Sequence, residues 1–134
     1  VTQEYAIDGS KITSLDAFYD EISRVLTPGH YWGRNLDAFD DILSGGFGTP
    51  AEGFTLKWSQ AALSKEKLGY TETTKYLEEK LRRRHPSNRE SVRVEIADAR
   101  AKAGPTLFDW LVEIIRDHVP GGGQAEDNVR LVLD

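Results

Sequence analysis

An α/β fold, a small parallel sheet with helical crossovers, is what this sequence predicts, and three observations predict it. Short apolar runs stand near the start, the middle and the end of the chain, amphipathic helical patterns lie between them, and Gly- and Pro-containing breaks separate one from the next. Strands that alternate with helices along a chain pack as a parallel sheet with the crossovers against it. At 134 residues, 39% hydrophobic and 29% charged, the chain reads as a single domain, residues 1–134, large enough to bury a core without staples.

Tyr5-Ala6-Ile7 reads as the first strand, closed by the Asp8-Gly9 turn signal. Ser14 then caps a helix whose Leu15, Phe18, Ile22, Val25 and Leu26 recur at helical spacing, with Asp16 and Arg24 at the ends where the helix dipole favours them. Pro28-Gly29 stops it. Asn35 caps a shorter second helix with Leu36, Phe39, Ile42 and Leu43 on its inner face, ended by Gly45-Gly46. Phe54 to Trp58 is the second strand, followed by a polar helical connection to about Lys67. Thr71 to Arg84 forms a third helix with Tyr76, Leu77 and Leu81 facing inward, broken at His85-Pro86.

Glu90 to Ala103 fits two periods. Val92, Val94 and Ile96 alternate as in a strand, while Val92, Ile96, Ala99 and Ala103 fit a helix, and the expectation is a strand-like start with a helical finish. Thr106 caps a last helix to about His118, with Leu107, Trp110, Leu111, Ile114 and Ile115 on a broad apolar face. Pro120 to Gly123 is a loop. Asn128 to Leu133 is apolar apart from Arg130, the pattern of a strand buried on both faces.

The charge is unevenly spread. The net charge is −5; residues 1–60 hold nine acidic and four basic side chains, and residues 61–134 hold thirteen of each. An acidic surface repels nucleic acid and attracts cationic partners from a distance. Lys80, Arg82, Arg83, Arg84 and His85 form a basic run, but Glu78–Arg82 and Glu79–Arg83 are i,i+4 pairs, which read as a solvated, salt-bridged helix rather than a nucleic-acid surface. The absence of cysteine excludes disulfides and thiolate metal sites and suits a reducing compartment. No apolar run reaches the length of a membrane span, and VTQEYAIDGS lacks the basic and apolar regions of a signal peptide.

Asp37, Asp40 and Asp41 crowd the second helix without a Lys or Arg among them. At about 100° per residue, Asp37, Asp41 and Ser44 share one side with Asp40 beside them, opposite the apolar face. Asp37 suits the first turn. Asp40 and Asp41 lie toward the C-terminal end, where the dipole disfavours anions, and Asp37–Asp41 is a like-charged i,i+4 pair. Asp is also a mediocre helix former. These local penalties on one face indicate that something outside the helix uses the charge. Tyr31, Trp32 and Phe47 flank the face as aromatics of a protein-binding surface do; Trp32 has a competing reading as packing for the short helix, and Phe47 as a loop anchor.

An enzyme is the competing class. Three carboxylates could hold Mg²⁺ through water, but EF-hand, HExxH, P-loop and GxSxG patterns are absent and His30, His85 and His118 are scattered. No cofactor or metal is expected.

Tyr31-Trp32-Gly33-Arg34-Asn35-Leu36-Asp37-Ala38 follows the pattern aromatic-aromatic-Gly-x-Asn-Leu-Asp-Ala and resembles the barstar family, intracellular inhibitors of secreted microbial guanyl-specific ribonucleases. Ala6-Ile7-Asp8-Gly9, Ile12 and Leu15 resemble the family's opening, and Leu56-Lys57-Trp58 its second strand. The similarity covers residues 4–68, and Thr106–Leu133 as the last helix and strand; residues 69–105 stand as an insertion before that helix. The resemblance implies a three-stranded parallel sheet flanked by helices, no catalytic activity, and an inhibitor that plugs the ribonuclease active site with its second helix and adjacent loop. It places the main inhibitory aspartate at Asp41, with Asp37 pairing a cationic residue, Asp40 adding field, and Tyr31 and Trp32 covering the site. Arg34, Asn35, Gly45 and Phe47 belong to the same segment, and the family's late glutamate maps to Glu113. The family often has an aromatic residue where Asp40 stands, and its Gly-aromatic step is here Gly45-Gly46-Phe47. A cytoplasmic protein is implied, monomeric when free and 1:1 with its target, with no nucleic acid or membrane as partner. The alternative is a non-inhibitory interaction domain of the same fold that binds another basic protein.

Overall fold

A computed structural model describes residues 3–45, 49–50, 52–83 and 89–134. Its elements run β1 (Glu4–Asp8), α1 (Leu15–Val25), α2 (Leu36–Leu43), β2 (Phe54–Ser59), α3 (Ala61–Lys67), α4 (Tyr70–Arg83), α5 (Arg89–Arg100), α6 (Leu107–Asp117) and β3 (Val129–Leu133), with short 3-10 turns at Gly9–Lys11 and Ala125–Asp127. The strands form one parallel sheet in the order β1-β2-β3. Glu4 lies opposite Thr55 and Asp8 opposite Ser59; Phe54 lies opposite Val129 and Trp58 opposite Leu133. Parallel neighbours need long crossovers, which α1–α2 and α3–α6 supply.

The core lies on one face of the sheet. Ile7, Phe54, Leu56, Trp58 and Val129 meet Phe18 and Ile22 of α1, Phe39 and Ile42 of α2, and Leu111 and Ile115 of α6. The Trp58 ring lies tilted at 5.4 Å from Phe18 and 5.1 Å from Phe108, and its indole N–H donates to Ser64, whose hydroxyl donates to the Gly9 carbonyl. The Asp8-Gly9 turn needs its glycine: a Cβ there would sit 2.3 Å from the Gln60 carbonyl oxygen.

The other face shows Ala6, Arg130 and Val132 to solvent, Val132 with 44% of its surface exposed. The expectation that β3 is buried on both faces is therefore corrected. A strand's side chains alternate, so helices packed on Val129 leave Arg130 and Val132 outside.

The reading of Glu90–Ala103 is corrected too. α5 is helical from Arg89, with no strand-like start. Val92, Ile96 and Ala99 pack against Leu77 of α4, while Val94 is 54% exposed, so the apparent alternation joins two faces of a helix. α4 and α5 form a hairpin over residues 69–105 whose base is tied to the sheet domain. The Glu72 carboxylate accepts the Leu15 N–H at 2.7 Å, capping α1. The Thr73 hydroxyl accepts the Leu107 N–H at 2.8 Å, capping α6, while donating to the Gly69 carbonyl. Such caps satisfy donors that a helix cannot pair internally. Along the hairpin, Glu79 pairs with Arg83 as expected and also with Arg82, whereas Glu78 turns to Arg100 of α5 instead of Arg82. Arg84 and His85 of the basic run lie outside the described residues.

Candidate functional site

The acidic helix is aimed by the turn before it. Gly33 and Arg34 both have left-handed backbone, with φ of 86° and 49°, and swing the chain from Trp32 into Asn35. The Asn35 side chain accepts the Ala38 N–H at 2.8 Å and caps α2. Gly45, at φ 97°, ends the helix by donating to the Ile42 carbonyl. Phe39, Ile42 and Leu43 are buried, which fixes the rotation of α2 and sends Asp37 and Asp41 outward. Among the described residues neither carboxylate has an ion pair or a side-chain hydrogen bond.

The two aromatics before the turn separate. Tyr31 is 86% exposed beside α2. Trp32 is 4% exposed; its indole donates to the Ser23 hydroxyl at 2.7 Å and its ring meets Tyr19 edge-on at 5.4 Å. Trp32 is therefore not placed to cover the site as expected, because packing and a satisfied N–H hold it in the core, whereas Tyr31 is exposed. Arg34 is also engaged within the chain. Its guanidinium pairs with Asp20 at 2.9 Å, donates to the Asp16 carbonyl and lies over the Tyr19 ring. Phe47 lies outside the described residues.

Asp40 is tied inward, unlike its neighbours. Its Oδ1 lies 2.6 Å from Nε2 of His118, and Nδ1 of the same ring lies 2.5 Å from Asp127 Oδ2. Gln124 adds a longer bond to Asp40, and the Ser44 hydroxyl donates to Asp127. His118, fully buried at the end of α6, was not singled out in the sequence. Its place three residues after Ile115 and four after Ile114 was the available signal, since a polar ring on an apolar face must find partners.

Glu113 does come to the acidic helix. With Trp110, Ile114 and Asp117 of α6 it faces Leu36, Asp37 and Asp40 across a groove of about 520 Å³. Asp117 is a fourth carboxylate of that groove that sequence reasoning missed. A hydrogen bond from the Gln124 amide, then one from the Gly123 N–H, and then the charge of His118 hold it below the usual carboxylate range. Among the described residues no three His, Asp or Glu are placed to hold a metal ion, and no helix is long and apolar enough to cross a membrane.

The fold and this surface define a small parallel α/β domain that presents carboxylates, unpaired among the described residues, from one short capped helix, and an exposed tyrosine from the loop before it. A family model described as Barstar (barnase inhibitor) matches residues 2–97, so the chain belongs to the barstar family, whose role is ribonuclease inhibition rather than catalysis. The match spans the loop and all of α2 and ends within α5, before Glu113, Asp117 and His118. Among curated proteins there is no match.

Proposed function

We propose that this chain is a stoichiometric inhibitor of a secreted microbial guanyl-specific ribonuclease, not itself an enzyme, and that it blocks the cationic active site with α2 and the preceding loop. The observation that carries this reading is the pair Asp37 and Asp41: exposed, without an ion pair or side-chain hydrogen bond among the described residues, and one helical turn apart on the outer face of a helix whose rotation is fixed by its core residues. A ribonuclease must bind phosphate, so its site presents Arg, Lys and His. A carboxylate can occupy a phosphate subsite and take charge-assisted hydrogen bonds from those groups.

Asp41 is the phosphate mimic, Asp37 pairs with a second cation, and Tyr31 covers the contact and excludes water. Glu113 and Asp117 extend the negative field along the groove beside α2. Asn35, Gly33 and Gly45 set the helix ends, and Arg34 holds the loop to α1. The free protein is a cytoplasmic monomer and binds one ribonuclease.

The test is a titration of guanyl-specific ribonuclease activity with the wild type and with Asp41→Ala. Activity should reach zero near one equivalent of wild type, and the variant should need far more. No inhibition across several such ribonucleases would reject this reading and favour the alternative, the same acidic surface serving another cationic protein.

A further inference from the structure

His118 has no exposed surface, and each of its ring nitrogens meets a carboxylate, Asp40 at 2.6 Å and Asp127 at 2.5 Å. A neutral imidazole has one N–H and one bare nitrogen, so it can donate to only one of them; the other contact would set lone pair against lone pair. An imidazolium donates to both. The titratable groups that face the ring are Asp40 from α2, Asp127 from the 3-10 turn before β3, and Asp117 from α6 itself. The partners are themselves held: Ser44 at the end of α2 donates to Asp127, and the Gln124 amide spans Asp40 and Asp117.

We infer that His118 is a positioning residue for the acidic face: its protonated ring clamps Asp40 of α2 to Asp127 of the turn before β3 and so fixes the recognition helix in the free protein. α2 has only eight residues, too few to be stable in isolation, so it depends on ties of this kind. The clamp pairs Asp40 within the chain, whereas Asp37 and Asp41 have no ion pair among the described residues. The link from the clamp to partner affinity rests on the inhibitor reading; the clamp itself does not.

Two measurements on the free protein test it. A ¹H–¹⁵N spectrum at neutral pH should show both ring N–H groups of His118; a single ring N–H would overturn the inference without any variant. Asp127→Asn, which alters no group of the outward face, should speed amide exchange of Phe39 to Leu43 by about tenfold while leaving α1 unchanged. Unchanged α2 exchange in the variant would overturn the clamp. In a ribonuclease titration, Asp127→Asn should then inhibit about tenfold more weakly. Equal inhibition by both proteins would break the link to recognition. A wild type that inhibits nothing would instead reject the inhibitor reading, leaving the clamp judged by the spectra.

Discussion

α2 and the α4–α5 hairpin are both rich in charge on their outer faces, yet they use it in opposite ways. On the hairpin Glu79 meets Arg82 and Arg83, Glu78 meets Arg100, and Glu90 meets Arg93. On α2, Asp37 and Asp41 have no partner among the described residues and repel each other one turn apart. A helix that pairs its charges needs nothing further, whereas one that concentrates a single sign carries a small standing cost that nothing in the helix itself relieves. Charge content alone does not separate the two cases; pairing does.

The largest effect that could break this comparison is at Asp41. Asp41→Ala should lower affinity for the target ribonuclease by about 2–5 kcal/mol, the usual cost of leaving charges across an interface unpaired, as read by inhibition titration. The same change should raise stability in urea by about 0.5 kcal/mol, because Ala is the better helix former and the repulsion with Asp37 is gone. Lower stability would mean that Asp41 serves the fold rather than a partner.

Next in size is Thr73, which sharpens the contrast within the hairpin. Thr73→Ala removes the cap on the Leu107 N–H and should cost about 1–2 kcal/mol in urea unfolding with inhibition at saturation intact. No loss would show that α4 is not bonded into the sheet domain.

Glu21 offers a paired carboxylate of a third kind, buried on α1. Hydrogen bonds from Arg24, helped by the Asp8 N–H and opposed by burial, hold it below the usual carboxylate range. A lowered folded value contributes stability that is full above the ordinary Glu value of 4.5 and is lost as pH falls through the folded value. Glu21→Gln should therefore be the less stable protein at neutral pH, by about 1 kcal/mol. Its stability should also fall less steeply than the wild type's on acidification below 4.5. Parallel pH profiles would contradict the assignment. The smallest effect belongs to the hairpin surface: Glu79→Gln should change stability by about 0.5 kcal/mol or less and leave inhibition untouched, as exposed ion pairs do.

Most of the fold was legible because period and punctuation agreed. Ser14, Asn35 and Thr106 cap the helices they were expected to cap, and the three apolar runs are the three strands. β3 was misread because a Val-Arg-Leu-Val-Leu run is apolar whichever face is covered, and only the placement of the helices decides which side meets solvent. α5 was misread because Val92, Val94 and Ile96 satisfy a period of two before Ala99 reveals the longer one.

At the site, the misfit of Asp40 with its own helix, read as charge offered to a partner, has an answer within the chain: a histidine 78 residues away pairs with it. Contacts at that separation leave no local pattern to read. Trp32 shows the reverse error: an aromatic beside a recognition motif looks exposed until Ser23 and Tyr19, on a helix earlier in the chain, are seen to enclose it.

The central claim is that a basic ribonuclease reads the unpaired face and not the paired one. The most direct test is the association rate, measured by stopped flow as ionic strength rises, for the wild type, for Asp37→Asn with Asp41→Asn, and for Glu79→Gln. A steep fall for the wild type and Glu79→Gln, with a slower and much flatter rate for the double variant, is the predicted result. Equal salt dependence in all three proteins would contradict the claim.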